Sequence, residues 1–286
     1  MAEDDAKPLA PGLYIVATPI GNLADITFRA VEVLKFADVI ACEDTRHSRK
    51  LLDHYGVATA TVSYHEHNEA ERAAELAERL KGGERVALVS DAGTPAISDP
   101  GYRIVRAAVE AGVRVFPIPG PVAFAAALAA SGLPTDQFSF RGFLPARRGE
   151  RRTVLESLID SEATEIFYEA PHRLIESIED VVAMMGAARP VVIARELTKV
   201  HEEFVRGSAA EVLERLRNQP SIKGEIVILI GKATRGAEGR PQDLSSRLAT
   251  LMVAGVDEKT ALKQLAKEIG LSRDELFREL QRTRRR

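Results

Sequence analysis

Apolar and polar positions fall into alternating blocks along the first half of the chain. Residues 13–17, 38–42, 60–64, 85–89 and 113–117 are short runs rich in Val, Ile and Ala, and these predict strands. Between them, apolar positions recur at helical spacing over 25–36, 45–55, 69–81 and 101–111, with Ile26, Ala30, Val33 and Leu34 forming one such stripe. Gly82 and Gly83 supply a stop after the third helix. A small-residue helix over 123–130 follows the run Pro119-Gly-Pro121. Continuous apolar strands separated by single helices point to a mostly parallel sheet covered on both faces.

The pattern changes near Pro134. Residues 138–140, 165–168, 190–194, 203–205 and 225–230 read as strands, with helices near 149–160, 172–185 and 208–217. The short interval between the strands at 190 and 203 predicts an antiparallel pair, so this half reads as a mixed α/β domain. Residues 233–241 carry two Gly and no apolar period, as a linker does. Beyond it, Leu262, Leu265, Ala266 and Ile269 form one stripe of a helix over 257–270, closed by Gly270. Ser272 with Glu275 makes a capping box for another helix, with Leu276, Phe277 and Leu280 inward. That pairing reads as a helix-turn-helix or as a small three-helix cap. The expected division is a disordered lead over 1–11, α/β domains over 12–133 and 134–232, the linker, and a helical domain over 242–286.

Composition narrows the setting more than the chemistry. With 45% apolar and 28% charged residues over 286 positions, this is an ordinary globular chain. One cysteine, Cys42, excludes a disulfide framework and a cysteine-based zinc site and fits a cytoplasmic protein. No apolar run approaches the ~20 residues of a membrane span. Net charge is −3, yet residues 240–286 hold 11 Lys/Arg against 7 Asp/Glu and end in Thr-Arg-Arg-Arg. A basic tail on an acidic body reads either as a footprint for nucleic acid or as a solvated helical face.

Candidate chemistry gathers where strands end, because ligands of parallel sheets collect there. Three Gly/Pro loops follow strands at 18–22, 90–101 and 117–121. Glycine lets backbone approach a ligand, and proline fixes the loop shape in advance. No Gly-Lys-Ser/Thr phosphate loop and no G-x-G-x-x-G fingerprint occurs. The loop "VSDAGTPAISDPG" is acidic, so it suits ribose hydroxyls, an amino group or a cation. Asp91 is expected to hold such a ligand. Asp99 reads as a ligand contact or as a cap and turn before the next helix, so Asp99→Ala should cost mainly stability. No metal is expected, since the carboxylates do not follow an alternating calcium loop and His65 with His67 lacks a third ligand. Glu43, Asp44, His65 and Glu66, after the second and third strands, read as acid–base candidates or as helix-start residues favoured by the macrodipole. Arg46, Arg49, Arg147, Arg148, Arg151, Arg152 and Arg173 read as phosphate contacts or as partners of nearby carboxylates.

Seven segments in order carry a resemblance: residues 13–52, "SYHEHNE", "LVSDAGTPAISDPG", "PIPGPVAFAAALAASGL", "RGFLP", "FYEAPHR" and "ARELTKVHEEFVRG". Over about 12–232, and in its helical tail, the chain resembles the ribosomal RNA small-subunit methyltransferase I family, within the tetrapyrrole-methylase-like class III methyltransferases. The resemblance implies two α/β domains with S-adenosyl-L-methionine bound in the cleft between them, and a homodimer. It further implies methylation of the ribose 2′-hydroxyl of a cytidine in 16S rRNA of the small ribosomal subunit. Carried onto this chain, cofactor contacts are expected at Ile20, Asp91, Gly93, Thr94, Val122, Ala123, Tyr168, Glu225 and Ile226. Val122 stands where other members of the superfamily carry a small hydroxyl, so only backbone contact is expected there. The competing readings are a porphyrinoid methylase, a diphthine-synthase-like enzyme, and a DNA-binding regulator with an α/β sensor.

Overall fold

The computed structural model describes residues 9–233, 248, 251–252, 257–268 and 276. The chain divides into two compact units, Met1–Ala233 and Thr234–Arg286. The first eight residues of the expected lead, most of the expected linker and the Ser272–Glu275 capping box lie outside the described residues.

The first unit begins with β1 (Gly12–Val16), α1 (Phe28–Phe36), β2 (Val39–Cys42), α2 (Thr45–His54), β3 (Thr61–Ser63), α3 (Glu69–Lys81), β4 (Arg85–Val89), α4 (Tyr102–Glu110) and β5 (Val115–Ile118). The strands form one sheet in the order β3-β2-β4-β1-β5, every pair parallel. Alternate residues of each strand serve opposite faces. Tyr14, Val16, Ile40, Cys42, Ala87 and Val89 pack with Val33, Leu34 and Leu52 of α1 and α2. Leu13, Ile15, Val39, Ala41, Val86 and Leu88 pack with Leu76, Leu80, Ile104 and Ala108 of α3 and α4. Both faces are dry, which is why these strands read as unbroken apolar runs. The connection from β1 leads across β4 to β2, while that from β4 leads across β1 to β5. Adjacent strands with diverging connections open a crevice beyond their C-terminal ends.

Two departures from the expected boundaries have local causes. The first helix does not start at Asp25; a 3-10 turn over Leu23–Asp25 comes first, and Thr27 then caps α1 by accepting from Ala30 N–H at 3.1 Å. Helix α4 has no side-chain cap of its own, and Asp99 does not cap it. The N–H groups of the N-cap Gly101 and of Arg103 in its first turn donate instead to Glu69 Oε1 at 3.0 and 3.3 Å.

The rest of the unit comprises α5 (Ala123–Ser131), β6 (Phe138–Phe143), α6 (Arg148–Glu156), β7 (Thr164–Glu169), α7 (Leu174–Met185), β8 (Pro190–Arg195), β9 (Glu203–Ser208), α8 (Ala209–Arg217) and β10 (Ile226–Ile230). This second sheet runs β6-β7-β10-β8-β9; β6 and β7 are parallel and the other pairs antiparallel, including β8 with β9. One face packs Phe167, Val191, Ile193, Ile226 and Ile228 against α6, α7 and α8. The other sets Ile166, Val192, Ala194, Val227 and Leu229 against Ala127 and Leu128 of α5 and against Ile20. That second contact joins the two sheets. Ser208 and Glu211 make a reciprocal capping box that starts α8 at the residue after β9.

In the second unit, α9 (Glu258–Glu268) begins after Asp257, whose carboxylate accepts from Thr260 N–H at 3.0 Å. Leu248, Ala261, Leu262, Leu265, Ala266 and Leu276 form its buried cluster.

Candidate active site

The three Gly/Pro loops meet at the crevice beyond β1 and β4. Thr18 and Gly93 exchange both backbone hydrogen bonds, N–H to O at 2.8 Å and 3.1 Å. The Thr18 hydroxyl donates to Ser90 O at 3.2 Å, and that of Thr94 to Pro121 O at 3.4 Å. Close approach needs glycine at two points. Gly93 has φ 84°, and a Cβ on Gly120 would sit 2.8 Å from Ala17 Cβ. The loops are thus a laced framework rather than free connections.

Under this framework lies a cavity of about 410 Å³, a size that takes a nucleoside-sized ligand. Ile20, Asp91, Gly93, Thr94, Val122, Ala123, Tyr168, Glu225 and Ile226 all line it. The first six come from the loops of the first sheet and the start of α5, and the last three from the second sheet. Glu43, Asp99, Ile97, Ser98, Phe143, Glu169 and Leu197 also line it.

The wall carries an acidic group with defined partners. Asp91 Oδ1 accepts from Asp44 N–H at 3.1 Å, tying the β4 loop to the start of α2. Burial pushes the Asp99 carboxyl up to about 6, and the neighbouring Glu43 and Asp91 carboxylates add to that. Glu43 is raised as well, by burial first and then by Asp91. Three carboxylates crowded in a half-dry wall favour a positive ligand, because a cation relieves both desolvation and mutual repulsion. Asp99 is therefore a wall residue, not the cap that one sequence reading allowed. Its signal was present in the motif but was masked by Pro100-Gly101, which reads equally well as a turn.

The other acid–base candidates separate by position. Asp44 is the N-cap of α2; its carboxylate accepts from Arg46 N–H at 2.8 Å, and that contact holds it below the usual carboxylate range. His65 and Glu66 lie off the cavity wall. His65 N–H donates to Asn68 Oδ1 at 2.8 Å, and the His65 ring meets His67 edge-on at 5.9 Å. Among the described residues no group of three or more His, Cys, Asp or Glu side chains is arranged to hold a metal.

The arginines divide in the same way. Arg46, Arg49 and Arg147 are exposed, with loose partners in Asp44, Asp53 and Glu150. Arg151 corrects the expectation of a phosphate contact: it is fully buried and donates to Asp180 Oδ2 at 2.9 Å. Arg148 and Arg152 reach the same carboxylate from its other oxygen, at 3.1 and 2.7 Å. Burial alone would raise the Asp180 carboxyl, but the three guanidinium groups outweigh it and hold it low. This Arg-rich stretch pins α6 to α7. Arg173 is likewise turned inward onto buried Glu169, at 2.5 Å.

On the far rim, sequence reasoning expected Glu225 as a cofactor contact and missed the residues that hold it. Lys199 bridges Glu196 Oε1 at 2.7 Å and Glu225 Oε2 at 3.1 Å, and its stem fills the space where a side chain on Gly21 would go. Ala96, Ser98, Glu196 and Thr198, the non-glycine residues with positive φ among those described, all fall in two segments beside the cavity. Strained backbone of this kind persists where a site needs it. Its only trace in the sequence is Gly224, where a Cβ would strike the Glu196 side chain at 2.4 Å.

Comparison with known proteins agrees with this architecture. Residues 12–213 match the family model of Tetrapyrrole (Corrin/Porphyrin) Methylases. The chain is 50% identical over 278 residues to a ribosomal RNA small subunit methyltransferase I of Mesorhizobium japonicum, covering 97% of this chain and 94% of that one. It is 46% identical to the protein of that name from Escherichia coli O157:H7, with 93% of each chain covered. Among solved structures, a Thermus thermophilus uroporphyrin-III-C-methyltransferase superposes with a TM-score of 0.56 at 21% identity, over 78% of this chain and 95% of that one. A diphthine synthase does so at 0.58 and 18%, over 77% and 89%. At such identities these two structures speak for the fold alone, and the fold is the tetrapyrrole methylase fold. The chain belongs to the tetrapyrrole methylase family and, within it, to the ribosomal RNA small subunit methyltransferase I group.

Proposed function

We propose that the chain transfers the methyl group of S-adenosylmethionine to the ribose 2′-oxygen of a cytidine in 16S rRNA, acting on the small ribosomal subunit as a cytoplasmic homodimer. The observation that carries this is the acidic wall of Glu43, Asp91 and Asp99 at the crevice of a chain half identical to a small-subunit rRNA methyltransferase. When bound, the cofactor supplies a methyl on a positively charged sulfur that leaves as a neutral thioether.

The residues supply fit, alignment and a place for the proton. Ile20, Val122, Ala123 and Ile226 offer apolar contact to the adenosine, and Gly93 with Thr94 offers close backbone. Asp91 and Glu225 suit its hydroxyl and amino groups. Holding donor and acceptor in line is the main catalytic task, since alignment in a closed site is worth several kcal/mol. The 2′-hydroxyl gives up its proton as the new O–C bond forms. Asp44 is committed as a cap, and Asp91 is committed to the Asp44 N–H, which leaves Asp99 to accept the proton and Glu43 to keep Asp99 basic. Arg46, Arg49 and Arg147, with the outer edges of Arg148 and Arg152, would meet RNA phosphates.

Purified protein mixed with labelled S-adenosylmethionine should label small subunits that lack the modification and leave uroporphyrinogen unlabelled. Labelling of the porphyrinoid in place of the subunit would overturn the reading.

A further inference from the structure

Phe143 is an apolar ring left in the open at a place where the fold could have covered it. It is 58% exposed and lines the mouth of the cavity. Its direction is set by an irregularity in β6. Phe140 pairs with Ile166, and Phe143 with Tyr168, so three steps along β6 match two along β7. One extra residue at a bulge returns the chain to the face it started from. Without the bulge, Phe143 would point away from Phe140, toward the side where Arg141 pairs with Glu165. Gly142, with φ 68°, takes the turn, and a Cβ on it would touch Ser98 Oγ at 3.5 Å.

The bulge extends an aromatic series out to solvent. Phe124 stacks on Phe140 at 4.4 Å, Phe140 meets Tyr168 edge-on at 4.9 Å, and Tyr168 meets Phe143 edge-on at 5.5 Å. The first three rings are at least half covered, whereas the last is not. The contact with Tyr168 braces the ring of Phe143 on one side, while more than half of its surface stays open. A 2′-hydroxyl can reach Asp99 inside the cavity only if its nucleotide is drawn out of its own stack, and an extruded base needs a flat apolar surface to lie on.

From this geometry we infer that Phe143 is the stacking platform for the target nucleobase, set beside the methyl-transfer cavity by the β6 bulge. The inference rests on the RNA-methylating reading of the cavity. Phe143 is a positioning residue: its loss weakens subunit binding and alignment and leaves the cofactor's own contacts in place.

The chain contains no tryptophan, so Phe143→Trp installs a single fluorescent reporter at this position. In full-length protein, its emission should be quenched by unmethylated small subunits and unchanged by S-adenosylmethionine alone. Phe143→Ala should raise KM for the subunit by roughly 10–100-fold, as loss of a stacked base does, with cofactor affinity by calorimetry unchanged. Phe143→Tyr should restore KM, and Phe143→Leu, which has bulk but no ring, should not. Quenching by the cofactor alone, a parallel loss of cofactor affinity in Phe143→Ala, or full rescue by Leu would overturn the inference. Failure of the unaltered enzyme to methylate subunits would overturn instead the reaction on which it rests.

Discussion

Asp99 and Glu43 couple through charge, and that coupling makes a measurable pH profile. With Asp99 raised to about 6, its carboxyl is protonated in acid and cannot accept the ribose proton there. Single-turnover methyl transfer should therefore rise with pH along an acid limb, which lies below about 6 in the loaded enzyme because the cofactor's positive charge eases the burial and repulsion that raise Asp99. Glu43 is one of the charges that holds Asp99 up, so Glu43→Gln should ease its ionisation and move that limb to lower pH. Asp99→Asn should remove the limb and slow transfer by roughly 10²–10⁴, the usual worth of a positioned base. Rapid-quench rates across pH 4.5–8.5 check all three. Asp91→Ala should weaken cofactor binding in calorimetry and also loosen the α2 start, since it removes the acceptor for the Asp44 N–H. At this scale the sequence was informative about residue type and blind to commitment. "DAGTPAISDPG" offers two carboxylates, but only the fold shows that one is tied to a backbone N–H while the other sits ionisable in the wall.

At the scale of elements, strands were the most legible because the central strands β1, β2 and β4 are buried on both faces and almost wholly apolar. Helix starts were less so. The cap of α4 comes from Glu69, some thirty residues upstream, and no local pattern announces a cap supplied by another helix. The β6 bulge was hidden for a similar reason: the expected strand over 138–140 stops before Gly142, where the alternation of "FSFRGF" breaks, and only the partner strand shows that the pairing resumes at Phe143. The arginine-rich segment was legible as charge and misread as to its target. Its target is Asp180, buried in α7, whose carboxylate is a single residue among a mostly apolar stripe. Removing one side of a buried charge network strands the other. Asp180→Ala should thus cost about 3 kcal/mol or more in urea denaturation, by leaving buried Arg151 with only the more distant carboxylate of Glu176, at 3.7 Å, to balance its charge. Arg147→Ala, by contrast, should leave stability within about 0.5 kcal/mol and weaken subunit binding in a salt-dependent manner.

Across the whole molecule, the residues proposed to hold the cofactor come from both sheets of the first unit, and the basic excess of the sequence lies in the second. A chain ending at residue 233 should therefore bind S-adenosylmethionine as the full chain does and bind small subunits less tightly. Calorimetry for the cofactor and filter binding for the subunit separate the two effects. A DNA-binding regulator would behave otherwise, losing a duplex site on truncation and showing no methyl transfer beforehand. The central claim is the atom that receives the methyl. Small subunits lacking the modification, incubated with the protein and methyl-labelled S-adenosylmethionine, should yield label in 2′-O-methylcytidine after complete digestion of 16S rRNA to nucleosides. Label on a base carbon or nitrogen, or on no nucleoside at all, would contradict the account.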